Sequence, residues 1–140
     1  MKNILLILII ALFPELNNAE EKKVFIEVTN ETDLKNYEWT NRPLAVFANS
    51  SNDVNFQRQI KMLKNNILEL KERDIVVLVD TDPNKNTPLR QQLRPRGFAL
   101  LLIGKDGQIK LRKPFPWNVR EISRVIDKMP MRRQEINGND

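Results

Sequence analysis

Three short segments of this chain are apolar without interruption: residues 44–48, 75–79 and 98–103. A strand with one wet face alternates, whereas a strand covered on both faces reads as a continuous apolar run rich in Val, Ile and Leu. Between the first two runs, Phe56, Ile60, Leu63, Ile67 and Leu70 recur at spacings of four and three, which places them on one helical stripe. Lys61, Lys64, Lys71 and Glu72 fall off that stripe, and Ser51, Asn52 or Asp53 can cap its first turn. Buried strands joined by helices require a sheet with helices on both sides.

The remaining segments complete that pattern. Residues 24–28 read as a short strand, and Thr29-Asn30 can cap a short helix over residues 31–37. Pro83 and Pro88 bracket a loop before one or two helical turns over residues 89–94. Lys105-Asp106-Gly107 signals a tight turn, and residues 109–112 alternate as a half-wet strand should. Asn118 can cap a last helix with Val119, Ile122, Val125, Ile126 and Met129 inside, stopped by Pro130. The order β–α–β–α–β–α–β–β–α predicts an α/β protein of thioredoxin-like plan. That is a three-layer sandwich with a central, mostly parallel sheet, a C-terminal antiparallel hairpin, and helices on both faces.

Residues 4–13 form an apolar run behind Lys2 and ahead of Pro14. A membrane-spanning helix needs about 20 apolar residues, so this run has the length of a secretory h-region. We expect a signal peptide over residues 1–19 and a single domain over residues 20–140, exported to the periplasm or secreted, with no stable membrane insertion after cleavage. A retained N-terminal anchor is the competing reading, and the shortness of the run argues against it.

Composition closes several chemistries. The chain has no Cys, so disulfide exchange and thiol peroxidase chemistry are excluded for the polypeptide itself. It has no His, which removes the commonest general base, Ser-His and Cys-His pairs, and imidazole- or thiolate-based zinc sites. Without such a base, Ser50 and Ser51 are poor nucleophiles and read as helix caps. Asp80, Asp82, Asn84 and Asn86 offer alternate oxygen ligands, but Lys85 replaces the turn glycine of a calcium loop and Gln91 its closing Glu. We expect no catalytic residue, metal or cofactor. Trp39, Phe47, Phe98 and Trp117 read as packing aromatics, with Met129 and Met131 sealing the last helix onto the sheet.

Gly97-Phe98-Ala99-Leu100-Leu101-Leu102 followed by Lys105-Asp106-Gly107-Gln108-Ile109 resembles the thioredoxin segment in which a cis-proline loop enters the terminal hairpin. By that match Phe98 stands at the cis-proline position, and Asn49-Ser50-Ser51-Asn52 stands where thioredoxins carry Cys-x-x-Cys. A closer resemblance rests on Trp39-Thr40-Asn41-Arg42-Pro43-Leu44, Glu72-Arg73-Asp74-Ile75-Val76, the Lys-Asp-Gly turn and Met129-Pro130-Met131-Arg132-Arg133-Gln134-Glu135. These are similar to the domain-of-unknown-function family 4174, small exported bacterial proteins related to domains of vertebrate sushi-repeat and matrix-associated secreted proteins. The resemblance implies a thioredoxin-like fold and an extracytoplasmic location, and it supplies no catalytic residue.

Charge is uneven along the chain. Residues 20–89 hold ten Lys/Arg against twelve Asp/Glu, whereas residues 90–133 hold twelve against three. A basic half suits an acidic ligand or an envelope or extracellular partner, and export argues against nucleic acid. In open α/β sheets ligands bind beyond the strand carboxyl ends. There the loop Asn49, Ser50, Ser51 and Asn52 is expected to offer backbone N–H groups at a helix start. Arg94 and Arg96, entering the third buried strand, are expected to grip an anion beside it. The expected function is a non-enzymatic binding or adaptor module. The alternatives are a carboxylate- or metal-dependent enzyme at the same strand ends, or a structural protein binding acidic polymer.

Overall fold

A computed structural model describes residues 24–138. The apolar run at residues 4–13 and the expected cleavage site lie outside them. Five strands form one sheet: β1 (Phe25–Glu27), β2 (Arg42–Phe47), β3 (Ile75–Asp80), β4 (Ala99–Ile103) and β5 (Ile109–Lys113), in the order β1-β3-β2-β4-β5. The helices are α1 (Val54–Lys64), α2 (Ile67–Glu72), α3 (Pro88–Leu93), α4 (Val119–Asp127) and α5 (Pro130–Gly138). Short 3-10 turns cover Leu34–Tyr37 and Pro83–Lys85. Among the described residues no helix is long and apolar enough to cross a membrane.

The apolar runs are central strands because each supplies both faces of the sheet. Successive side chains of a strand point to opposite sides. Leu44, Val46, Ile75, Val77, Leu100 and Leu102 therefore build one core with Leu63, Leu70, Ile122 and Ile126 from α1, α2 and α4. Ala45, Phe47, Val76, Leu78, Leu101 and Ile103 build a second core with Leu89 and Leu93 of α3 and Leu34. Gln59, fully buried on α1, joins the first layer to the loop before α4. Its Nε2 donates to the Trp117 carbonyl (2.9 Å) and its Oε1 accepts from the Trp117 N–H (2.8 Å).

Several expectations need correction. The third buried strand, β4, runs antiparallel to β2, with Phe47 opposite Ala99 and Leu44 opposite Leu102. The sheet is thus mixed: β1, β3 and β2 are parallel, β4 alone runs against them, and β5 is antiparallel to β4. The cause is where α3 is tied. Arg90 on α3 donates to the carbonyls of Ala48 and Asp80 (both 3.1 Å), so the chain re-enters the sheet at the end where β3 left it. The single helical stripe from Phe56 to Leu70 is two helices broken at Asn65 and Asn66. There the Asn66 Nδ2 donates to the Met62 carbonyl (2.8 Å), a local side-chain bond that competes with helix continuation. Pro130 does not end the helical region; it opens α5, where a missing N–H costs nothing. The turn near residue 34 is capped by Asp33 rather than Thr29 or Asn30. Trp39 is not a packed aromatic: it is 64% exposed with φ +68°, and its N–H donates to the Lys105 carbonyl (2.8 Å).

Candidate functional site

The pairing of Phe47 with Ala99 brings the loop after β2 and the loop before β4 to the same end of the sheet, as anticipated. The first loop, however, satisfies much of its own backbone. Ser50 Oγ accepts from the Asn52 N–H (3.1 Å), the Ser50 carbonyl accepts from the Asp53 N–H (3.2 Å), and the Ser51 carbonyl accepts from Gln57 Nε2 (3.3 Å). Asp53 Oδ1 caps α1 by accepting from the Phe56 N–H (2.9 Å). A carboxylate therefore already stands at the positive end of the helix. The expected set of free N–H groups over Asn49, Ser50, Ser51 and Asn52 is reduced accordingly.

Beneath this end lies a buried ion pair. Asp80, 4% exposed, accepts from Arg90 Nη2 (3.0 Å) at Oδ1 and from Arg90 Nε (3.3 Å) and Thr87 Oγ1 (3.0 Å) at Oδ2. The Arg90 guanidinium also stacks 5.3 Å from the Phe47 ring centroid. Asp82 caps the following 3-10 turn by accepting from the Asn84 N–H (3.1 Å). The Asp80 to Asn86 segment thus spends its oxygens on α3 and on its own turn. Arg90 braces the fold rather than facing a ligand.

Arg94 and Arg96 are exposed and gather elsewhere. Together with Arg112, Lys113, Phe98 and Pro114 they line a groove of about 340 Å³. Arg94 is held in the left-handed region (φ +50°), where its N–H caps α3 through the Arg90 carbonyl (2.9 Å). Arg112 Nη2 donates to the Leu93 carbonyl (2.8 Å), and Lys113 Nζ lies 4.6 Å from the Trp117 ring. Among the described residues no carboxylate lines the groove. Arg112 and Lys113 were absent from the sequence-derived site because they lie on β5. The hairpin register, Leu101 opposite Arg112 and Leu100 opposite Lys113, returns them to the start of β4. The Lys105-Asp106-Gly107 turn is the signal from which that pairing follows, with Gly107 at φ +82°.

At the other end of the sheet α5 is docked by charge. Arg42 is fully buried at the start of β2, and Glu135 of α5 meets it end-on, Oε1 to Nη2 (3.0 Å) and Oε2 to Nη1 (3.3 Å). Glu135 also accepts from Lys105 Nζ (2.6 Å) and Arg132 Nη1 (3.4 Å). Asp127 takes Arg73 in bidentate fashion (3.0 Å twice) and Arg132 Nε (3.3 Å). Burial pushes the Glu135 carboxyl up, yet hydrogen bonds from Lys105 and Arg42 together outweigh it and hold the group below its ordinary value. Hydrogen bonding from Arg73 holds Asp127 low against the upward push of burial, and the same bond raises Arg73.

Similarity to known proteins agrees with this architecture. A reduced Plasmodium vivax 2-Cys peroxiredoxin matches with a TM-score of 0.57 at 14% identity, covering 75% of this chain and 85% of that one. Reduced desulfothioredoxin from Desulfovibrio vulgaris Hildenborough matches with a TM-score of 0.54 at 15% identity, covering 76% and 97%. At such identities the likeness establishes the thioredoxin-like fold alone. Coiled-coil domain-containing protein 80 of Danio rerio is 46% identical over 46 residues, 32% of this chain but only 5% of that protein. The family described as domain of unknown function (DUF4174) matches residues 33–135. With its mixed five-stranded sheet and its matched span running from the turn before β2 into α5, the chain belongs to the DUF4174 family.

Proposed function

We propose that this protein is a non-enzymatic binding module for an acidic ligand or partner, with the groove of Arg94, Arg96, Arg112 and Lys113 as its anion-binding surface. The observation that carries the reading is that four cationic side chains from two separate segments line one groove, with no carboxylate among its described lining residues. Guanidinium groups suit carboxylate, sulfate and phosphate because their planar forks donate in parallel. The absence of Cys and His removes the thiol and imidazole chemistry that a site on this fold would otherwise use. Export, expected from residues 1–19, belongs with this proposal and makes acidic glycans and acidic extracellular or envelope proteins the natural partners.

The test is a titration of isotope-labelled protein with sulfate and then with an acidic oligosaccharide. Backbone amides near Arg94, Arg96, Arg112 and Lys113 should shift together. An Arg94→Glu, Arg96→Glu double variant should lose the response while keeping its melting temperature, since exposed charges contribute little to stability. Shifts spread evenly over residues 90–133 would reduce the basic half to a solvated surface.

A further inference from the structure

Phe115 is 54% exposed and stands beside the basic groove, whose wall its neighbour Pro114 shares with Arg94, Arg96, Arg112 and Lys113. Pro114 and Pro116 bracket it. Each proline fixes its own backbone and restricts the residue before it to extended conformations, so the loop is stiff and holds the ring outward. Lys113 Nζ, 4.6 Å from the Trp117 ring, ties the two ends of this segment together.

The chemistry around Phe115 is of two kinds only. The described lining of the groove consists of the four cations and of Phe98, Ala99 and Pro114, with no side-chain acceptor among them. In the sequence no Asp or Glu falls between Asp106 and Glu121, a stretch that carries Lys110, Arg112, Lys113 and Arg120. A small soluble anion uses the cations and leaves Phe115 in water. A partner that is anionic at its surface and apolar just beneath uses both, and an anionic lipid bilayer is built that way. Backbone chemistry agrees. Residues 114–116 carry a single N–H, that of Phe115, so shallow burial at the headgroup boundary strands few donors. A peptide adding as a strand meets the opposite situation, with two donors missing where it needs a ladder.

We propose that this face docks reversibly on an anionic lipid surface. Arg94, Arg96, Arg112 and Lys113 meet the headgroup phosphates, and Phe115 enters the boundary between headgroups and acyl chains. The inference rests on the groove being an anion-binding surface, and it names the anionic partner.

Binding is measured by cosedimentation of the chain from Glu20 onward, which contains every described strand and helix and both cores. The run at residues 4–13 is left out because its apolar side chains would bind lipid by themselves. Vesicles containing phosphatidylglycerol should retain the protein, and vesicles of phosphatidylcholine alone should not. Each cation near an anionic surface contributes about fivefold, so an Arg94→Gln, Arg96→Gln variant should bind about twentyfold more weakly. Phe115→Ser should lose about tenfold, the scale of a partly buried phenyl ring, while leaving the sulfate response of the groove in place. Phe115→Trp should keep the binding, because Trp suits the membrane interface. Equal retention on both kinds of vesicle, retention on neither, or undiminished binding by Phe115→Ser overturns the proposal. If sulfate still moves the amides near Arg94 and Arg96 while vesicles do not bind, the docking inference fails and the groove reading stands. If neither sulfate nor vesicles engage these residues, both fail.

Discussion

Arg42 and Glu135 show how a side chain of poor local fit becomes indispensable in context. A guanidinium at the start of a central strand would be costly if unpaired, and Glu135, a quarter exposed, offsets that cost from the far end of the chain. Acid should reveal the dependence. Glu135 and Asp127 have carboxyls held below their ordinary values in the fold, so on acidification the unfolded chain takes up protons first. Their contribution is present above the unfolded carboxylate range and is lost as pH falls through the folded values. Urea unfolding followed between about pH 5 and pH 2 should therefore show a steep loss of stability. Glu135→Gln should be less stable at neutral pH and show a shallower acid limb. An acid limb identical to that of the parent would mean that Glu135 contributes nothing there.

The element that most depends on such contacts is α5. Its core contribution is modest: Ile136 is 42% exposed, while Arg132 is buried at 6%. What attaches it is the set of ion pairs through Arg132 and Glu135 to Arg42, Lys105, Asp127 and Glu72. Truncation before Pro130 should leave Arg42 without its carboxylate and cost about 3 kcal/mol. The melting temperature should fall on the order of 10 °C, measured by circular dichroism. A truncated chain as stable as the parent would show that α5 is an ornament on the fold. The Met129 to Glu135 segment was visible in the sequence as a family resemblance, yet its helix was not, because Pro130 reads as a stop unless something receives the turns that follow. That receiver, Arg42 with Lys105, is some ninety residues and thirty residues away in sequence.

For the whole molecule, the two cores make the sheet intolerant of charge. Leu101 is fully buried in β4, and Leu101→Asp should prevent folding, because a charge there has neither water nor a partner. Lys110→Asp on exposed β5 should shift stability by less than about 1 kcal/mol, the scale of its surface pair with Asp106. Equal tolerance in far-ultraviolet circular dichroism would place the cores wrongly. With no Cys, stability comes from packing and ion pairs. Thermal unfolding should be the same with and without reductant, and insulin reduction should match a buffer blank. A reductant-dependent melting temperature would contradict that reading.

By itself the sequence determined the layered α/β plan, the identity of the central strands, the hairpin turn and the closed thiol and imidazole chemistries. Those follow from local periodicity, turn residues and composition, which each segment carries without reference to the others. Only the tertiary structure decided that β4 runs antiparallel to β2, that Arg94 and Arg96 meet Arg112 and Lys113, and that Arg90 and Arg42 are buried braces. The direction of a strand depends on which end of the sheet the chain re-enters, and Arg90 settles that through Asp80 and the Ala48 carbonyl. The fate of a charged residue depends on what faces it across the fold. One Arg is written like another in sequence, but Arg42 meets a carboxylate from α5 and Arg94 meets none among the described residues, so packing alone separates the buried brace from the exposed side chain.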